Sequence, residues 1–157
     1  MTSENDFDEA LGGSYCAGVT DHGVKYPYFR LNIVPVVLSL ANPPWQREVW
    51  LCPDEVESLD HVVHVLFDDF CDADDPQRYL GVCLRTQEEV DLMAKLGAAF
   101  STVSGAIAGG ATDEAFLEHE GWAEVVAAAG RLAQAMVRND QRALAMLDDA
   151  GHRWPDG

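Results

Sequence analysis

The sequence predicts an all-α protein, built as a single-domain irregular bundle of about five helices. Apolar residues recur at helical spacing in several segments, and signals for the start or end of a helix flank two of them. The 157 residues, 48% of them hydrophobic, amount to one domain, and neither an internal repeat nor a second domain is visible. These observations predict a helical bundle that needs neither a metal nor a disulfide to hold it together.

The predicted helical domain covers residues 25–150. Residues 1–24 are acidic, rich in glycine and without a periodic apolar pattern, so we predict a mobile N-terminal arm. Residues 151–157 are predicted to form a C-terminal tail.

The first two helices are predicted from apolar spacing and from the positions of prolines. Pro35 lies inside the segment from Tyr28 to Leu40 and should kink or restart the helix, because proline lacks an amide donor. A short second helix should begin at Pro43 or Pro44, since proline suits the first helical position. The apolar residues at helical spacing are Leu31, Val34, Val37, Leu38 and Leu40 in the first segment, and Trp45, Val49 and Trp50 share one side of the second.

A third helix is predicted over residues 57–70, with one apolar and one polar side. The apolar side consists of Leu59, Val62, Val63, Leu66, Phe67 and Phe70, and the polar side of Asp60, His61, His64 and Asp68. The apolar run near residues 80–85 is compatible with a short strand or with an extended connector.

Two longer helices are predicted from a capping box and from core spacing. In TQEEV, the Thr86 hydroxyl can accept from the Glu89 amide while the Glu89 carboxylate reaches back, so a helix should begin at Gln87 and stop at Gly109-Gly110. Another helix should run from about Gly121 to Arg138, and QRALAMLDDAG is a candidate for a short last one. The inward residues are Val90, Met93, Leu96, Phe100, Val103 and Ile107 on the first helix, and Trp122, Val125, Val126, Ala129, Leu132, Ala133 and Met136 on the second.

The net charge restricts the classes of partner. Acidic residues outnumber Lys and Arg by 27 to 10, which gives a net charge of -17. Such a charge disfavours nucleic acid and anionic membranes and favours a cationic protein surface. Cys16, Cys52, Cys71 and Cys83 form no CxxC pair and no signal-peptide pattern is visible, so we expect reduced thiols in a cytoplasmic protein.

His61, His64 and Asp68 are the candidate metal ligands. Their i, i+3, i+7 spacing puts them on one side of a helix, where they can ligate zinc or another divalent ion. A structural zinc site needs a fourth ligand, and a catalytic one needs a general base. The residues left for either role are Asp60, Asp72 and the distant His119. We therefore expect no metal and no other cofactor, and no complete catalytic constellation is visible in the chain.

An acidic run is the strongest functional signal in the sequence. Between Arg47 and Arg78 the chain carries ten acidic residues and no Lys or Arg. A solvated acidic face is the simpler interpretation, but aromatic residues interleave with the acids and the whole chain lacks compensating charge. Such a surface accelerates encounter with a basic protein and can hold its Arg or Lys in charge-assisted hydrogen bonds. The predicted partner-binding residues are Asp68, Asp69, Asp72, Asp74 and Asp75, with Trp45, Trp50 and His64 nearby.

Four stretches carry a resemblance to a known family. They are YPYFRLNIVPVVLSLANPPWQREVW, DHVVHVLFDDF, VCLRTQEEVDLM and DEAFLEHEGWAEVVAAAGRL. Over about residues 26–138 the chain resembles a family of small acidic bacterial proteins in which a W/Y-Q-R-x-V-W element precedes H-x-L-F-D-D and a late helix begins W-x-E-V. Their general type resembles the immunity proteins of polymorphic toxin systems. The resemblance implies a shared fold and a toxin-neutralising role, although Pro35 departs from the uninterrupted first helix expected of that family.

Two classes of function remain open at this point. The first is a non-enzymatic immunity or inhibitor protein that binds a cationic toxin domain through its acidic surface. The alternative is a divalent-metal-binding protein, or a metal-dependent enzyme, that uses His61, His64 and Asp68.

Overall fold

The computed structural model describes residues 23–151. In that range the chain forms six α-helices and no β-strand, which confirms the predicted all-α fold. The helices are α1 (Pro27–Leu40), α2 (Pro43–Trp45), α3 (Leu59–Val63), α4 (Gln87–Ala106), α5 (Asp113–Glu118) and α6 (Trp122–Asp149). The predicted arm and tail lie almost entirely outside the described residues.

Two of the short helices continue with wider turns. A π-helix over Gln46–Trp50 follows α2, and another over His64–Asp69 follows α3. The i→i+5 hydrogen bonds of a π-helix rotate side chains away from the positions that α-helical spacing predicts. Accordingly Val65 is buried, whereas Phe67 and Phe70 pack against the core while only partly buried. A 3₁₀-helix over Pro76–Tyr79 then leads toward α4.

α1 runs through Pro35 without restarting, so the predicted restart is wrong. Proline has no N–H to donate to the Leu31 carbonyl oxygen. Both residues lie on the exposed side of the helix, where water can supply that hydrogen bond. The buried face also differs from the predicted one. Leu31 is 71% exposed, whereas Arg30 and Ile33 are buried.

α4 and α6 pack along each other, and α1 packs against α6. α6 is one continuous helix of 28 residues, so the predicted division after Arg138 is wrong. The core-facing side continues past that point, because Asn139 and Ala143 are both buried. α4 begins at Gln87 as predicted but ends at Ala106, before the glycine pair.

The segment near residues 80–85 forms a turn and no strand. Its β-type contact is an isolated bridge between Leu80 and Leu84, and Gly81 adopts a φ of 79° that favours glycine. The turn receives hydrogen bonds from the amides of Lys25 and Tyr26, which fix the entry into α1. Among helices within residues 23–151, none combines the length and hydropathy that a membrane crossing requires.

Candidate functional site

The acidic run folds into a defined surface segment, residues 68–75, which we call the acidic loop. It begins in the π-helix that continues α3. The start of α3 is capped by the Ser58 hydroxyl, which accepts from the His61 amide at 3.4 Å. The Asp72 carboxylate accepts from the Asp74 amide at 3.0 Å, so this side chain shapes the turn. The conformation of the loop is therefore set by its own hydrogen bonds and by the helix before it.

The acidic loop rests on the core through alternate residues. Cys71 and Ala73 are buried, and Gly97 allows α4 to approach closely, since a Cβ at that position would collide with the Ala73 carbonyl oxygen. The two buried residues anchor the middle of the loop, and the exposed acids lie on either side of them. Asp72 is half-buried, and the exposed acids are Asp68, Asp69, Asp74 and Asp75.

No Lys or Arg in the described part of the chain forms an ion pair with the acidic loop. His64 lies beside the acidic loop, with its Nδ1 3.2 Å from Asp68 Oδ2 and its Nε2 3.6 Å from Asp60 Oδ2. The Arg residues that do form ion pairs contact Glu88, Glu89, Glu124 and Asp140 instead. The negative charge predicted for this surface is therefore not paired with a Lys or Arg of residues 23–151.

The structure does not bring the candidate metal ligands together as a set. Within residues 23–151, no group of three or more His, Cys, Asp or Glu side chains is arranged to hold a metal ion. His64 directs its ring nitrogens to Asp60 and Asp68, whereas His61 lines a groove beside α1. The alternative function based on His61, His64 and Asp68 thus receives no geometric support from the described residues.

The two tryptophans predicted as partner anchors lie in different environments and share one carboxylate. Trp45 is half-exposed and its Nε1 donates to Glu57 Oε2 at 3.0 Å. Trp50 is only 5% exposed, packs edge-on against Trp122, and donates to Glu57 Oε1 at 3.3 Å. Trp50 therefore belongs to the core, and we remove it from the predicted contact surface. Glu57, which was not singled out as a site residue, is held by both indoles.

A buried ion pair joins α1 to α4. Arg30 Nη1 and Nη2 donate to the two carboxylate oxygens of Glu89 at 2.6 and 3.1 Å, and both residues are almost fully buried. Arg30 also donates to the carbonyl oxygens of Cys83 and Met136. Through these bonds one side chain connects α1, α4, α6 and the turn before α4.

The carboxylate of Glu89 is stabilised in its charged form. Burial alone would raise the pKa of this carboxyl, but the hydrogen bonds and charge of Arg30 lower it below its ordinary value. The Asn139 side chain donates at 2.6 Å and the Arg85 amide at 2.9 Å, which lower the pKa further. Asp140 accepts from both Arg30 and Arg85 at 2.7 Å. Arg30, Arg85, Glu89, Asn139 and Asp140 therefore form one cluster, which we call the ion-pair cluster. Because its charged groups bond to one another, this cluster is suited to holding helices together.

The sequence contained partial signals for this cluster. The capping box did place Glu89 at the start of α4, and the Thr86 hydroxyl accepts from its amide at 3.2 Å as predicted. The Glu89 carboxylate, however, reaches back to the Arg85 amide and to Arg30. Arg30 stands three residues before the buried Ile33, a position on the core face where a charge requires a partner.

The buried thiols lie under the acidic loop. The Cys83 sulfur donates to the Phe70 carbonyl at 3.5 Å, and Cys71 is adjacent to that carbonyl in the chain. A hydrogen bond with Cys71, together with burial, raises the pKa of Cys83 well above its ordinary value. A protonated buried thiol is a poor nucleophile, so Cys83 acts as a small core side chain.

The fold and the acidic loop define an all-α bundle protein whose described residues expose an acidic surface without Lys or Arg partners among them. The chain belongs to the family described as Domain of unknown function (DUF7945), whose model matches residues 24–144. That range takes in α1 to α5, the acidic loop and most of α6. Neither the curated proteins nor the solved structures contain a match to the chain.

Proposed function

We propose that this protein is a non-enzymatic inhibitor of the immunity type, which binds and neutralises a cationic toxin domain through the acidic loop. The observation that carries this proposal is that the exposed carboxylates of the loop meet no Lys or Arg within residues 23–151. The toxin-directed role follows from the family resemblance of the four stretches quoted above.

The geometry favours fast and specific binding of a basic surface. Clustered negative charge raises the association rate, and the burial of Cys71 and Ala73 limits the backbone freedom that the loop can lose when a partner docks. A carboxylate that becomes desolvated against an Arg of the partner contributes on the order of 2–5 kcal/mol when truncated, whereas one at the rim contributes little. We therefore expect a few residues of the loop to dominate the affinity.

The test is a pair of charge-matched variants. One variant reverses Asp69, Asp74 and Asp75 to Lys, leaving Asp72 in place because it shapes the turn. The control reverses three exposed acids elsewhere, Glu118, Glu120 and Asp149, so that both variants carry the same net charge. A partner is captured from the native host with the parent protein, identified and purified, and its binding and inhibition are then measured with all three proteins.

The loop variant should no longer inhibit the partner and should associate with it much more slowly. The control variant should lose only the part of the association rate that depends on net charge. The association rate of the parent should also fall as salt rises, because attraction is screened beyond about 8 Å at physiological ionic strength. Equal binding by both variants would show that the acidic loop is a solvated face. A captured partner with an acidic surface would contradict the proposal directly.

A further inference from the structure

We propose that a groove beside α1 binds an apolar side chain of the cationic partner, carried on a segment with neighbouring Lys or Arg residues. This inference rests on the proposed function and identifies a second contact region that the acidic loop does not include. The groove lies between α1 and the segment that leads into α3, and its volume is about 300 Å³. That volume is at the small end for ligand pockets and suits inserted side chains better than a whole helix.

The groove exposes apolar surface that the fold does not use. Leu31 and Pro35 line it from α1, and Val56 lines it from the opposite side. Leu31 is 71% exposed and Val56 is 94% exposed, so both would gain free energy if a partner covered them. Leu31 faces outward because α1 turns Arg30 and Ile33 toward the core.

The charge around the groove selects a cationic occupant. Val56 stands between Glu55 and Glu57 in the chain, and Glu57 itself lines the groove. Both oxygens of Glu57 accept from neutral indole donors, which fix the carboxylate in place without neutralising it. A fixed carboxylate beside an apolar groove favours a segment that combines an apolar side chain with Arg or Lys. A second copy of this acidic chain would bring like charges together.

The groove and the acidic loop are connected by α3 and the π-helix that continues it. His61 lines the groove, His64 bridges Asp60 and Asp68, and Asp68 begins the acidic loop. His61 and Asp68 are seven residues apart, over the end of α3 and the π-helix that continues it. One partner segment can therefore place an apolar side chain in the groove and cationic side chains along the acidic loop.

The test uses a synthetic amphipathic peptide with leucine on one helical face and lysine on the other. A second peptide of the same composition, permuted so that no apolar face forms, is the peptide control. The groove variant combines Leu31→Gln with Val56→Ser, which removes exposed apolar surface without changing charge. The control variant combines Leu144→Gln with Met146→Ser on α6, where both side chains are also largely exposed. Leu144 lines a separate depression on the other side of Leu31, so this control also tests that surface.

Dissociation constants are measured by calorimetry at physiological salt, and sedimentation reports the oligomeric state. We expect the groove variant to bind the amphipathic peptide about tenfold more weakly or worse, because burying even one such side chain is worth at least a factor of ten. The control variant should stay within about twofold of the parent, and the permuted peptide should bind the parent more weakly than the amphipathic one.

Three results would overturn the groove inference. They are equal affinity of the groove variant and the control variant, equal affinity of the two peptides for the parent, and a parent dimer that the groove variant converts to a monomer. The Asp69, Asp74 and Asp75 reversal is measured with the same peptide. If that reversal abolishes binding and the groove variant does not, the proposed function stands and the groove inference fails. If only the groove variant loses binding, the acidic-loop proposal fails, and the groove binds an apolar side chain without the cationic contacts proposed along the loop.

Discussion

Replacing Arg30 with Met should destabilise the fold strongly, because the substitution leaves a buried carboxylate without its cation. Arg30 supplies both charge-assisted bonds to Glu89, at 2.6 and 3.1 Å. It also supplies the bond to Asp140 and the donors for two carbonyl oxygens. The Asn139 amide and the Arg85 backbone amide would remain on Glu89, but neither carries a charge.

The expected loss is about 3–5 kcal/mol, the usual cost of removing one member of a buried ion pair. A domain of this size is stable by about 5–15 kcal/mol, so the variant would lose a large fraction of that free energy. The corresponding fall in Tm is about 6–20 °C. Urea denaturation followed by far-UV circular dichroism gives the free energy directly.

The matched control is Arg138→Met. Arg138 also contacts both oxygens of a glutamate on α4, at 3.1 Å, but this pair with Glu88 is exposed to solvent. An exposed pair contributes less than about 1 kcal/mol. If Arg30→Met were no more destabilising than Arg138→Met, burial of the Glu89 carboxylate would not be the reason for the strength of the cluster.

The pH dependence provides an independent check on the same pair. The folded-state pKa of Glu89 lies below its ordinary value of 4.5, so its contribution to stability is present above that pH. That contribution is lost as the pH falls through the lower folded-state pKa. In Arg30→Met, burial without a cation should raise the pKa of Glu89, and a protonated carboxyl then costs less to bury. The destabilisation measured at neutral pH should therefore shrink as the pH falls, starting above pH 4.5 where Glu89 of the variant becomes protonated, and a constant difference would refute this account.

Three further perturbations test other parts of the structure. Trp122→Ala should lower the free energy of unfolding by about 3–5 kcal/mol in denaturant titrations, because this side chain is buried and donates to Gln46 at 2.9 Å. A loss below about 1 kcal/mol would be inconsistent with its core position. Gly97→Ala should cost about 1–3 kcal/mol through collision with the backbone of the acidic loop, whereas Gly105→Ala, which meets nothing within 4 Å, should not destabilise α4. The double substitution of His61 and His64 by Ala should lower the free energy of unfolding by less than about 1 kcal/mol. Elemental analysis of the parent should find no stoichiometric metal, and one zinc per chain would show that these histidines belong to a metal site.

The local elements of the fold were predictable because their causes lie close together in the chain. The cap at Thr86 is made with an amide three residues away, and it fixed the start of α4 at Gln87. The polar side of the helix predicted over residues 57–70 follows from helical periodicity. His61 on α3, and His64 and Asp68 on the π-helix after it, are exposed as that pattern predicts. The local excess of acidic residues in and before the acidic loop follows from the absence of Lys and Arg between Arg47 and Arg78.

The positions that periodicity misassigned depend on residues far away in the chain. Leu31 and Leu38 stand at helical spacing, yet α1 turns them outward. The side that packs against α6 instead carries Arg30, whose partner Glu89 lies 59 residues further along the chain. Trp50 likewise became a core residue through its contact with Trp122 in α6.

The sequence by itself determined the helical class of this protein, the start of α4 and the acidity of the surface at residues 68–75, because hydrogen bonds within a helix and local charge composition require no distant partner. Only the tertiary structure decided which face of α1 is buried, whether α6 continues past Arg138, and which carboxylates are neutralised. Burial and ion pairing depend on which helices meet. Consequently the exposed groove beside α1 and the buried pair of Arg30 and Glu89 become visible only when α1, α4 and α6 are packed together.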